Sequence, residues 1–245
     1  MNYRMVIQYD GTRYRGWQRQ GNRADTVQGR IERALSKRCG YEVEIDGAGR
    51  TDAGVHALAQ VANVHLSEAE DVERMRQELN EYLPRDIRIL KIEEAGERFH
   101  SRLHAIGKIY EYHLMKKDNY CVFTRQYCWQ MEDTLDVAQM REAAKILIGR
   151  HDFRGFCTKA SKKKSTVRRL DAIDMIESET EITLRFEGTG FLYNMVRILT
   201  GTLVEVGLHK RSVESVAEVL QSGERARAGE TAPAQGLFLV RVKYD

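Results

Sequence analysis

One stretch of the sequence concentrates groups capable of covalent chemistry: Asp46-Gly47-Ala48-Gly49-Arg50-Thr51-Asp52-Ala53-Gly54-Val55-His56-Ala57. Its glycines invite a nucleotide-phosphate reading. A Gly-x-Gly-x-x-Gly loop would need glycine where Asp52 stands, however, and no Lys-Ser/Thr pair follows as in a Walker sequence. What is left is a glycine-rich loop whose backbone can come close to a large ligand while presenting one carboxylate, Asp52, flanked by Arg50. A lone carboxylate offers nucleophilic attack, proton transfer or electrostatic stabilisation of a developing cation. The plainer alternative is that Asp52 is an ordinary turn residue, a common place for aspartate.

Other reactive types are scattered. His56, His100 and His104 raise a metal or triad reading, yet only His100 and His104 share an i, i+4 spacing, and they precede a strand rather than lie on a helix. Structural or RNA-contacting histidines are the simpler expectation. The four cysteines, Cys39, Cys121, Cys128 and Cys157, have neither Cys-x-x-Cys spacing nor the density of a disulfide scaffold. No metal site and no external cofactor are expected. Tyr110 and Tyr112 fall on one face of an alternating run with Lys108, and by pattern alone both tyrosines are core candidates. Arg197 lies in an apolar run, Phe191 to Leu203, as a guanidinium either projecting from a buried helix or snorkelling to the surface.

The elements that must position these residues follow from periodicity. Tyr3 to Tyr9 alternates as a strand. Thr26 to Cys39 puts Val27, Ile31, Ala34 and Leu35 on one helical face, with Asp25 or Thr26 as N-cap. Strand-like runs at Glu42 to Ile45 and Val55 to Leu66 bracket the Asp52 loop. A helix over Val72 to Leu83 stops at Pro84, and Ile87 to Ile92 closes a βαββαβ order. The second half repeats it: strand Ile106 to Leu114, helix Leu135 to Ile148, strands Leu170 to Ile176 and Ile182 to Phe186, helix Phe191 to Val206, an inserted helix Val213 to Leu220, and strand Leu237 to Val242. The expected class is α+β, with two ferredoxin-like, RRM-like lobes at 1–104 and 105–245, mostly antiparallel sheets flanked by helices, and a cleft between the lobes. The segments Lys116 to Arg125, Thr158 to Thr166 and Gly223 to Gln235 carry the least pattern and are either RNA-contacting loops or plain surface connections.

At 245 residues with 42% hydrophobic and 31% charged content the chain can bury a core, and its apolar runs are too short to cross a bilayer. No membrane association and a cytoplasmic address are expected. The net charge of +3 says little, but its distribution is uneven. Arg13, Arg15, Arg19, Arg23, Arg30, Arg33, Lys37 and Arg38 are opposed locally only by Asp25 and Glu32, and Lys159, Lys162, Lys163, Lys164, Arg168 and Arg169 form a second cluster without an acid. Two such clusters suit a phosphate backbone, against the alternative of solvated charge runs.

Gly49-Arg50-Thr51-Asp52-Ala53-Gly54-Val55-His56-Ala57 resembles the central motif of the tRNA pseudouridine synthases that modify the anticodon stem-loop. Further matches run in order along nearly the whole chain: Tyr9-Asp10-Gly11, Gly16-Trp17-Gln18-Arg19-Gln20, Thr26-Val27-Gln28, Leu83-Pro84-Arg85-Asp86-Ile87, Phe99-His100-Ser101-Arg102, Lys108-Ile109-Tyr110-Glu111-Tyr112, Gly188 to Arg197, and Ala232-Pro233-Ala234-Gln235-Gly236-Leu237. Asp118 to Cys128 departs from the pattern in lacking a proline, and Lys162 to Lys164 is particular to this chain. The resemblance implies that Asp52 is the catalytic aspartate, that Tyr110 stacks on the target base, and that Arg197 partners the Asp52 carboxylate. Arg50 is then placed to fill the space of a flipped base, to bind its phosphate, or merely to tune charge. The partner implied is tRNA, bound by a homodimer, with no metal or cofactor. Competing readings are a noncatalytic RNA-binding module of two RRM-like lobes and a small-molecule nucleotide enzyme.

Overall fold

The strands and helices follow the alternation and capping signals of the sequence closely. The computed structural model describes residues 1–21, 25–158 and 165–245, so Arg23 and the lysines at 159 and 162–164 lie outside the described residues. The first half runs β1 (Asn2–Tyr9), α1 (Val27–Cys39), β2 (Ile45–Gly47), β3 (His56–His65), α2 (Val72–Tyr82) and β4 (Ile87–Ala95). The second runs β5 (Gly107–Met115), β6 (Trp129–Gln130), α3 (Val137–Leu147), β7 (Gly149–Asp152), β8 (Val167–Glu177), β9 (Glu181–Gly188), α4 (Met195–Gly207), α5 (Ser215–Ser222) and β10 (Leu237–Lys243). The chain divides into unit 1, Met1–Ile106 with Phe238–Asp245, and unit 2, Gly107–Leu237. The C-terminal strand, placed in the second lobe by sequence order, is thus shared out almost wholly to unit 1.

In unit 1, β1 lies antiparallel between β3 and β4, with Tyr3 opposite Val64 and Glu94, and Met5 opposite Ala62 and Ile92. The free edge of β3 is divided. β2 pairs with its second half at Ala62 to Val64, and β10 runs parallel to its start at His56 and Ala57. The order β4-β1-β3-β2 is that of the split βαββαβ unit. Tyr3, Met5 and Ile7 are fully buried along one side of β1 and form a core with Ile31, Leu35, Met75 and Leu79 from the two helices. Each such side chain contributes on the order of 2 kcal/mol by leaving water. α1 starts where Thr26 Oγ1 accepts from Gly29 N–H, and α2 where Asp71 accepts from the Glu73 and Arg74 N–H groups; caps of this kind contribute about 1 kcal/mol each.

In unit 2, β5, β9, β8 and β7 form an antiparallel sheet in that order, with β6 parallel to β5. Tyr112, Leu184 and Phe186 are fully buried, as are Met140, Leu147, Ile198 and Leu199 from α3 and α4. The α+β class expected from the sequence is the one observed. Several elements differ in detail, among them β6, which was not expected. β2 begins three residues later than the expected strand at Glu42. β7 was not expected, because Arg150 and His151 interrupt its pattern. The fourth helix begins at Met195 rather than Phe191, because Asn194 adopts a left-handed conformation at φ 60° that a helix cannot pass through.

Candidate active site

Asp52 sits in the turn joining β2 to β3, where the Val55 N–H donates to the Asp52 carbonyl at 3.2 Å. The loop is gripped along its backbone. Ala48 N–H donates to Val61 O at 2.8 Å, and Gln60 Nε2 donates to Gly49 O at 2.9 Å. From the N-terminal segment, Trp17 N–H donates to Thr51 O at 3.1 Å and Gly54 N–H donates to Tyr14 O at 3.3 Å. Beneath the loop the Tyr9 hydroxyl and Thr51 Oγ1 share a buried hydrogen bond of 2.7 Å. Burial pushes the Tyr9 phenol well above its ordinary range, so it stays protonated and available to this bond.

Two glycines make the grip possible. Gly16 has φ +94°, and a Cβ there would lie 2.5 Å from Thr51 O, the carbonyl immediately before Asp52. At Gly11 a Cβ would lie 2.0 Å from Val55 O, on the other side of the same loop. Two main-chain segments this close leave no room for a side chain, so the chain needs glycine at both positions to hold the Asp52 loop in this way. Trp17 is 1% exposed and closes the cluster, its ring 6.0 Å from that of Tyr9.

Asp52 itself is half-buried, its position set by backbone contacts on both flanks. Arg50 is exposed, and its Nε donates to Gln18 Oε1 at 3.0 Å, tying it to the same N-terminal segment. His56 is 1% exposed, stacked on Phe238 with ring centroids 4.6 Å apart. Gly11 N–H donates to its Nδ1 at 3.1 Å, and a carboxylate oxygen of Asp10 lies 3.1 Å from the same nitrogen. His56 therefore secures the crossing of strand and loop, as expected of a structural histidine. His104 Nδ1 accepts from the His100 N–H at 2.9 Å.

Tyr110 and Arg197 belong to unit 2. Tyr110 is opposite Phe186 in the sheet and 7% exposed, with Phe191 edge-on at a centroid distance of 5.1 Å. Arg197 lies in the first turn of α4, half-buried rather than at the surface. Its Nε donates to Ala232 O at 2.7 Å and its NH1 to Asn194 Oδ1 at 3.1 Å, while the Ala232 N–H donates back to Arg197 O at 3.1 Å. A cation in a first helical turn opposes the helix dipole, so its charge gains nothing for helix stability there. Asp52 and Arg50 thus share one loop of unit 1, and Tyr110 and Arg197 stand on neighbouring elements of unit 2.

A family model described as tRNA pseudouridine synthase matches residues 5–103 and 143–245. The chain belongs to the tRNA pseudouridine synthase family. Among its relatives in that family, the tRNA pseudouridine synthase A of Bacillus sp. (strain KSM-64) is 45% identical over 243 residues, covering 99% of both chains. The tRNA pseudouridine synthase A 2 of Clostridium tetani is 43% identical over 245 residues, 100% of this chain and 99% of its own. A crystal structure of a Cbf5-Nop10-Gar1 complex aligns at 13% identity and a TM-score of 0.40 over 97% of this chain and 48% of that one.

For a member of the tRNA pseudouridine synthase family the basic residues bear on substrate. Pairing separates them into two sets. Arg15 is bound to Asp25, Arg19 to Glu32, Glu42 and Glu44, and Arg38 to Glu70 and Glu78. Acids distant in sequence thus neutralise part of a cluster that sequence proximity left opposed by only two. Among the described residues of this cluster, Arg13, Arg30, Arg33 and Lys37 are exposed and make no ion pair, Lys37 lying over the Tyr82 ring. No group of three or more His, Cys, Asp or Glu among the described residues is placed to hold a metal ion, and no helix is long and apolar enough to cross a membrane.

The sequence missed the supporting residues Tyr9, Thr51, Gly16 and Tyr112. The signal for three of them was present in the short motifs beside Asp52, which carried no stated role. Tyr112 stood in the motif Lys108-Ile109-Tyr110-Glu111-Tyr112, where its alternation with Tyr110 marked it only as a core candidate.

Proposed function

We propose that Asp52 is the catalytic carboxylate of this chain and that it acts on uridines of the anticodon stem-loop. The reaction class follows from family membership: the chain is an isomerase that turns uridine into pseudouridine in tRNA. That reaction breaks the N1–C1′ glycosidic bond, turns the uracil and joins C5 to C1′, moving one proton from C5 to N1 overall. A carboxylate serves it by attacking or stabilising an oxocarbenium-like C1′, or by removing a proton beside it. Because the base returns to the same sugar, no second carboxylate is needed to release a leaving group. A guanidinium that keeps the first one ionised is more useful, and Arg197 is assigned that role.

Tyr110 is assigned as the aromatic group that meets the flipped uracil, with Phe191 flanking the same ring. Arg50, exposed beside Asp52, is assigned to the space or the phosphate of the flipped nucleotide. Arg13, Arg30 and Arg33 supply counterion-releasing contacts to the tRNA backbone. The active form is a homodimer acting in the cytoplasm, without metal or cofactor. The observation that carries the assignment is the grip on the Asp52 loop. Thr51 and Val55 on either side of the carboxylate are locked by backbone contacts from Tyr9 to Trp17, which is the preorganisation a reacting group requires.

The test is pseudouridine formation in unmodified tRNA transcripts, mapped at single-nucleotide resolution without added metal or cofactor, for the wild type and Asp52→Asn. The wild type modifies anticodon-arm uridines, and Asp52→Asn binds tRNA equally well but forms no product. An active Asp52→Asn enzyme removes the catalytic assignment. Modification confined to another arm removes the substrate assignment.

A further inference from the structure

The motif Ala232-Pro233-Ala234-Gln235-Gly236-Leu237 supplies no side chain with acid–base or nucleophilic capacity. Its main chain, however, runs between two residues of unit 2 that bear on the site. The Tyr112 hydroxyl donates to Pro233 O at 2.7 Å, and the next carbonyl back, Ala232 O, accepts from Arg197 Nε at 2.7 Å. We propose that Tyr112 is a positioning residue for Arg197, acting through the Ala232–Pro233 backbone. The proposal rests on the functional reading of Arg197 given above.

Tyr112 is fully buried in β5, with Trp129 edge-on at 6.4 Å and the main chain of Gly236 against its ring, where a Cβ would come within 2.7 Å. A phenol so enclosed must find an acceptor inside the protein. Burial drives its pKa far upward, so it remains a donor at every working pH. Proline has no N–H, so the carbonyl is the one polar group by which the backbone of Pro233 can be held. Ala232 in turn exchanges two hydrogen bonds with Arg197, one to the guanidinium and one to the main chain. Tyr112 and Arg197 therefore grip adjacent carbonyls of one short segment from opposite ends. Releasing the Tyr112 end lets the segment turn, and the guanidinium turns with it. A tyrosine needed only for its ring would be served equally by phenylalanine.

The experiment is a double-mutant cycle on the full chain with Tyr112→Phe and Arg197→Ala, reading single-turnover pseudouridine formation at saturating tRNA, tRNA affinity and thermal unfolding. Tyr112→Phe lowers the rate by about tenfold, the worth of one buried hydrogen bond expressed at the transition state, with tRNA affinity unchanged. In the Arg197→Ala background the same substitution changes the rate by less than about twofold, because the group it positions is gone. If Arg197→Ala is impaired but Tyr112→Phe costs the same factor in both backgrounds, or nothing in either, Tyr112 is a core residue and the positioning role is wrong. If Arg197→Ala is as active as wild type, the reading of Arg197 itself fails first, and the two failures are told apart.

Discussion

The loop that carries Asp52 in unit 1 is held chiefly by close main-chain packing, whereas the Arg197 guanidinium in unit 2 is held by hydrogen bonds. Gly16 and Gly11 admit the N-terminal segment so closely that the backbone beside Asp52 has one place to be. Arg197 depends on Asn194, Ala232 and, through Pro233, on Tyr112. Steric placement is nearly all-or-none, because interiors resist even a methylene too many. Placement by hydrogen bonds is graded, since each bond contributes only about 1 kcal/mol net. The backbone on either side of Asp52 is thus set by sterics, and the placement of the Arg197 guanidinium by separate hydrogen bonds.

That contrast predicts unequal responses to small substitutions. Gly16→Ala forces a Cβ against Thr51 O at an unfavourable φ, and it costs about 3 kcal/mol of stability together with more than about hundredfold in rate. Denaturant unfolding and single-turnover kinetics on the folded fraction check this; a rate near wild type would mean that the loop is not set by the N-terminal segment. Arg197→Lys keeps the charge but loses the planar fork, and it lowers the rate by about tenfold while leaving the unfolding midpoint within about two degrees of wild type. A loss as large as that of Gly16→Ala would erase the distinction between the two modes.

The smallest effect belongs to an ion pair outside both regions. Arg38 donates two hydrogen bonds of 2.8 Å to Glu70, which holds the Glu70 carboxyl below its usual range. A depressed carboxylate contributes stability that is complete above its unfolded pKa, about 4.3, and that is lost as pH falls through the lower folded value. Glu70→Gln therefore destabilises by about 1 kcal/mol at pH 7, and the difference from wild type shrinks below about pH 4, with activity unchanged throughout. A difference that persisted in acid would assign the loss to packing instead.

Much of this was legible from single residues. Thr26 announced its helix by cap chemistry, Pro84 ended another, and the Asp52 loop stood out by elimination of the phosphate motifs. What was not legible was contact across sequence distance. Nothing local shows that Ala232 would catch Arg197 from 35 positions away, or that Glu70 and Glu78 would occupy an arginine counted among free cations. Asn194 was not singled out as a helix boundary, although asparagine is among the few non-glycine residues that readily take the left-handed conformation it adopts. The role of Tyr9 was hidden by sequence distance. An alternating strand shows that a tyrosine faces inward, but not that its hydroxyl meets Thr51 beneath the Asp52 loop.

The return of Phe238–Asp245 to unit 1 has a consequence for biosynthesis. His56, at the foot of the Asp52 loop, stacks on Phe238, and Tyr244 lies under Arg4 and donates to Ser101 O. On the ribosome Met1–Ile106 emerges without these partners and waits for Gly107–Leu237 to be made, on the order of ten seconds at ordinary elongation rates. Unit 2 is contiguous and can close first, although it is translated second. A segment made after all of unit 2 is then the one that supplies the stacking partner of His56, so a chain interrupted before Phe238 is released with the foot of the Asp52 loop unfinished.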